Sequence, residues 1–375
     1  MARRTRPRRR IRTLVGLAVV TVAVVGVIAV AVPARFIGEH CFSVRIQPRD
    51  RPPEIVRATA DVAGYLRTGS STFLTLPAWY VVYSAEEYAA FVKSHAPSRF
   101  PYFAAIGQYW RYYASSCGGT KRVYPFGARE HLILGLTGLA FTLDNTVKGA
   151  YENTVGVVSE SIGFYHTEED VFARKTARQY AEFMHTVPWY DFPFAARLEA
   201  LWEETPLWGL DVVRKWERRF ALSAEYSLMA TYAGIVRLGT HTVRQPEDLI
   251  VHAWIEGTSD RIFDDDRIRK IKTVGDRSYI VTLPRFEAFT PIVVGLAKQG
   301  VRFREFAGND EILLTAIAPS ALDFRLATGE VLLKEPLLTN PGAARIAVKA
   351  SVGSLPAILG ELASRGITLE RLYDY

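Results

Sequence analysis

Glu130, Asp144, Glu152, Glu217 and Glu225 are carboxylates on stretches with helical apolar spacing. Two such acids held ~5–10 Å apart in an aromatic-lined cleft can cleave a glycosidic bond, one as acid and one as base or nucleophile. Asp144, Lys148 and Glu152 also stand at i, i+4 intervals, the pattern of an ion-pair ladder along one helix face. The histidines (His40, His95, His131, His166, His185, His241 and His252) include no pair at helical metal-ligand spacing. Asp264-Asp265-Asp266 lacks the alternation of a calcium loop and reads as part of a charged linker. Cys41 and Cys117 are too few for a thiolate-rich zinc or iron–sulfur site, but they can form a disulfide in an oxidising compartment. No nucleophile elbow, zinc-protease, P-loop or dinucleotide signature occurs. No cofactor and no metal is expected.

Charge and hydropathy at the start of the chain set the expected location. Arg3, Arg4, Arg6, Arg8, Arg9, Arg10 and Arg12 precede the nineteen uncharged residues Leu14 to Val32. At ~1.5 Å per residue that run is roughly 28 Å long, close to a bilayer's hydrocarbon core. The reading is a basic cytoplasmic tail (1–12) touching lipid, a transmembrane signal-anchor helix (13–33) and a spacer (34–53). The chain then sits N-in and C-out in the inner (cytoplasmic) membrane. The rival is a cleaved signal peptide, with small residues at Ala29-Val30-Ala31 and Val32-Pro33-Ala34. Without the seven tail arginines, 39 Lys+Arg balance 39 Asp+Glu, so a nucleic-acid partner is not expected.

Residues 54–257 read as a mainly helical extracytoplasmic domain. Ser84 resembles an N-cap opening a helix to about Ser94. A long helix falls within Arg129 to Glu160, and Thr167 to Asp170 is a capping box leading into Val171 to His185. A final helix runs from about Leu210 to Leu238. Leu132 to Leu143 is too short to span a bilayer, and Phe220 to Leu238 carries Glu225 and Arg237. Both are expected to be buried. Two aromatic groups, Trp79 to Tyr113 and Trp189 to Trp216, read as core.

After a charged linker (258–275), residues 276–375 carry an internal repeat at an offset of 66. Ile280 matches Ile346, Phe289 matches Leu355, Val293 matches Leu359, and Leu296-Ala297 matches Leu362-Ala363. Each copy reads strand, helix, strand, with Gly300 or Gly366 ending the helix. Two such units make a ferredoxin-like α/β sandwich, both helices on one sheet face, with Leu296 and Leu362 buried beneath them. The second copy, Gly353-Ser354-Leu355 through Glu370, resembles ACT regulatory domains, which are ferredoxin-like. The resemblance implies shape only: Ala350 stands where those domains tend to carry Asp.

The functional expectation is a membrane-anchored, non-catalytic protein that binds a protein partner, senses, or assembles with copies of itself. The alternative is an envelope enzyme acting on a glycan or lipid through the carboxylates named above.

Overall fold

A computed structural model of the chain describes Cys41 and residues 51–67, 69, 71–120, 128–163, 165–239, 249–257, 260–322 and 325–375. Its helices are α1 (Pro53–Thr59), α2 (Ser71–Phe91), α3 (Tyr102–Thr120), α4 (Ala128–Tyr151), α5 (Val157–Gly163), α6 (Glu168–Met184), α7 (Phe194–Glu204) and α8 (Val212–Gly239). A π turn, Glu152–Gly156, joins α4 to α5. Thr167 caps α6 as its sequence predicts, accepting from the Asp170 amide while Asp170 reaches back to the Thr167 amide. Ser84 opens no helix. It is buried inside α2, where surrounding apolar residues carry the helix past it.

The expected spanning helix needs correction. Among the described residues no helix is long and apolar enough to cross a membrane. Residues 1–12 and 13–33, on which the membrane, transmembrane and signal-anchor readings rested, lie outside the described residues.

The single ferredoxin-like sheet is also corrected: there are two four-stranded antiparallel sheets. The first holds β1 (Ile250–Glu256), β2 (Arg269–Gly275), β3 (Ser278–Pro284) and, after α9 (Phe289–Lys298), β4 (Arg302–Phe306). The second holds β5 (Glu311–Pro319), β6 (Gly329–Leu337), β7 (Asn340–Ser351) and, after α10 (Leu355–Ser364), β8 (Thr368–Tyr373). Their orders are β2-β3-β1-β4 and β6-β7-β5-β8, the same topology twice. The 66-residue match therefore covers only the last strand–helix–strand part of a larger ββ-β-α-β repeat. β1 and β2 escaped the sequence reading for different reasons. β1 closes a stretch that otherwise reads as helical, while β2 is an edge strand whose Arg269, Lys270 and Lys272 look like solvated linker.

Leu296 and Leu362 are 2% and 1% exposed, in one core shared by both sheets, α9 and α10. Gly300 and Gly366, with φ of 82° and 67°, end the two helices in the left-handed conformation that glycine adopts most readily.

The second sheet is buried on both faces. Ile312, Leu314, Ile346 and Val348 point into the shared core. Leu313, Ala347 and Tyr373 point the other way, against Phe73, Tyr80, Tyr109 and Tyr112 of α2 and α3. Polar ties fix this docking. Thr72 donates to the Tyr373 carbonyl at 2.7 Å and Gln108 to the Pro336 carbonyl at 2.7 Å. Buried Arg345 joins Glu87 to Glu370 under the Tyr83 ring. Most of the first aromatic group is thus core, as its spacing implies.

Candidate functional site

Four of the five carboxylates named from the sequence come together between α4, the π turn and α8. Lys148 reaches Asp144 at 3.1 Å and Glu225 at 2.9 Å. Glu152 turns away from that ladder and accepts from Arg218 at 2.8 Å. Glu217 accepts from Arg218, from Tyr151 at 2.6 Å and from Ser159 at 2.8 Å. The side chain of Glu130 lies outside the described residues.

The sequence reading missed the cations. Arg214, Lys215, Arg218 and Arg219 sit at i, i+1, i+4 and i+5 on one side of α8, and every one is at most 3% exposed. The opposing acids come largely from the first turn of α6, where the helix N-terminus favours negative charge. Arg214 donates to Asp170 at 2.7 Å, and both side chains are fully buried. Arg219 donates to Glu169 at 2.6 Å, and Lys215 spans Glu168 and Glu169. Two glycines allow the close approach. A Cβ at Gly163 would collide with the Cβ of Arg214, and one at Gly156 with the Glu152 carboxylate.

Burial raises the Glu152 carboxyl above its ordinary range, and the Arg218 guanidinium only partly offsets it. One Glu152 oxygen is buried without a hydrogen bond. For Glu217 burial also pushes upward, but the bonds from Arg218, Tyr151 and Ser159 outweigh it and hold that carboxyl below the usual range. A cavity of about 30 Å³ lies among Tyr88, Lys148, Glu152, Asp170, Arg218 and Glu225. That volume admits water-sized species and no sugar ring.

The raised Glu152 pKa gives a pH prediction. The folded state holds this proton more tightly than the unfolded chain, so stability from this group falls as pH rises from 4.5 through the folded value. Glu152→Gln should remove that loss. As pH rises above 4.5 the wild-type melting temperature should fall relative to the variant's. Parallel profiles would show that Glu152 does not titrate there.

The same helices are inverted on their outer side. From Leu132 to Ile162 every exposed residue is uncharged. Leu132, Ile133, Leu136, Val147, Val158 and Ile162 are each at least 55% exposed. On α8 the exposed residues from Val212 to Ile235 are likewise uncharged, and Phe220, Leu228 and Ile235 are 61%, 67% and 62% exposed. Hydroxyls on these helices bond their own backbones: Thr137 to Ile133, Thr154 to Ala150, Ser161 to Val157 and Thr231 to Ser227. Such bonds leave little polar demand on the outer faces. The burial that the sequence predicts for both helices is corrected. They are amphipathic instead, with charges inward and aliphatic side chains outward.

Cys41 and Cys117 form a disulfide beside His131.

No protein-family model, curated protein or solved structure matches this chain.

Proposed function

We propose that this protein is a non-catalytic assembly module, which associates with further copies of itself through the outer faces of α4, α5 and α8. The observation that carries this reading is the inversion: all charge on α8 before Arg237 is turned inward or partly covered, while its exposed positions are uncharged. A helix facing only water has the opposite pattern. Contiguous exposed apolar surface marks an interaction site. Fully burying an exposed large aliphatic side chain contributes ~1.5–3 kcal/mol; these side chains are already partly covered and each contributes less, so the drive to associate comes from covering several at once. An uncharged face calls for an uncharged complement, and a second copy carries one.

The carboxylate cluster supports the same reading over the enzymatic alternative. Its acids are ion-paired with buried cations around a water-sized cavity, so they act as an internal scaffold for the inverted helices. The Cys41–Cys117 bridge supports an oxidising, extracytoplasmic setting.

The test is sedimentation of the full-length chain and of Leu136→Glu/Leu228→Glu. Both positions are exposed, at 56% and 67%, so folding should be little affected. Wild type should sediment as an oligomer and the variant, with an unchanged circular dichroism spectrum, as a monomer. A monomeric wild type, or an equally associated variant, would refute self-assembly. Monomers that instead float with phosphatidylcholine vesicles would assign the faces to lipid.

A further inference from the structure

The geometry points to a second, reductively unmasked site: once their bridge is opened, Cys41 and Cys117 form with His131 a buried two-thiolate, one-imidazole site for a soft d10 metal ion, Zn(II) or Cu(I). One potential donor atom from each residue lies within 4.8 Å of the others, and all three residues are buried. Cys117 Sγ is 3.9 Å from His131 Nδ1. The donors come from separate segments. Cys117 lies near the end of α3, His131 in the first turn of α4, and Cys41 far upstream of both. Thiolate sulfur with imidazole nitrogen in a dry pocket suits Zn(II) and Cu(I), and disfavours the hard ions that prefer oxygen.

The Tyr113 hydroxyl lies 2.7 Å from His131 Nδ1. Nδ1 has a single lone pair, so an ion bound there displaces the Tyr113 hydroxyl from it.

The chemistry balances with a dithiol reductant. Two electrons and two protons pass to the bridge and give two thiols, while the reductant closes its own disulfide. The ion then displaces both thiol protons to solvent and is held by the two thiolates and neutral His131. With the bridge intact, both sulfurs are bonded to each other and the thiolate donors do not exist. Oxidation state thus decides whether the site can load.

The experiment uses the full-length protein, oxidised or reduced with dithiothreitol and desalted without air, then titrated with Co(II) as an optical stand-in for Zn(II). Reduced wild type should take up one equivalent, with a thiolate-to-cobalt charge-transfer band that stoichiometric Zn(II) abolishes. Oxidised wild type should give no band. Reduced His131→Ala should lose the tetrahedral cobalt spectrum, while His131→Cys, which restores a third donor, should keep one. No band in reduced wild type, an equal band in the oxidised chain, or an unchanged band in His131→Ala would overturn the assignment. So would loss of the helical circular dichroism signal on reduction, because the site needs the ends of α3 and α4 held together.

Discussion

Arg214→Leu should lower the unfolding free energy by about 3–5 kcal/mol, the usual cost of stranding one member of a buried ion pair. Arg214 and Asp170 are both fully buried, and the guanidinium also donates to Ser159 and Glu217. Leucine supplies none of these bonds. Asp170 keeps its capping contacts with Thr167, but its charge remains in a dry site. Neutralising that charge should recover part of the loss, so Arg214→Leu/Asp170→Asn should be more stable than Arg214→Leu alone. Urea unfolding of the two single variants and the double gives the coupling directly. A cost within ~0.5 kcal/mol, as at ordinary surface positions, would mean that the network does not hold α8 in its inverted orientation.

Opening the Cys41–Cys117 bridge should cost a similar amount. The cysteines are 76 residues apart, and the chain-entropy model gives ~4 kcal/mol for a loop of that length. Both cysteines belong to the buried cluster that holds Phe73, Tyr109, Trp110 and Tyr113, so the bridge also ties Cys41 to the aromatic core. Cys41→Ser/Cys117→Ser should therefore melt well below wild type, and dithiothreitol should lower the wild-type midpoint without affecting the variant. Zn(II) should restore part of the loss in the reduced wild type alone, because a ligand bound only by the folded state stabilises it. Equal denaturation midpoints for wild type and the serine variant would remove the bridge from the stability account.

Much of the local structure is legible in the sequence. Thr167 and Asp170 mark the start of α6 through side-chain bonds that need no tertiary context. Gly300 and Gly366 mark the ends of α9 and α10 because their backbones take a left-handed turn. The offset of 66 locates both helices and their flanking strands. It cannot separate one sheet from two, since each sheet is completed by strands outside the match: β1 and β2 in one, β5 and β6 in the other. Those strands carry different sequences in the two copies. At the matched edge position β2 reads Arg269-Lys270-Ile271-Lys272 where β6 reads Gly329-Glu330-Val331-Leu332-Leu333.

The carboxylates of the candidate site were legible as a set, but their role was not. Asp144, Glu152, Glu217 and Glu225 fall on helical stretches, which places them near one another only if α4 and α8 pack together. The decisive residues, Arg214, Lys215, Arg218 and Arg219, look like an ordinary solvated face. Periodicity states which residues of a helix share a side. It does not state which side faces the protein, and here Val213, Phe220, Leu228 and Ile235 take the outside while the cations take the inside.

Assembly through those outward faces is the central claim, and thiol accessibility tests it most directly. The natural cysteines are bridged, so an introduced cysteine is the only free thiol among the described residues. Leu143→Cys places one on the outer face of α4, and Glu199→Cys places one at an exposed, charged position of α7. With a charged, water-soluble thiol reagent and the assembled full-length protein, Leu143→Cys should react far more slowly than Glu199→Cys. Adding Leu136→Glu/Leu228→Glu should remove the difference. Equal rates in the unaltered background would mean that the uncharged faces stay open to water, contradicting assembly through them.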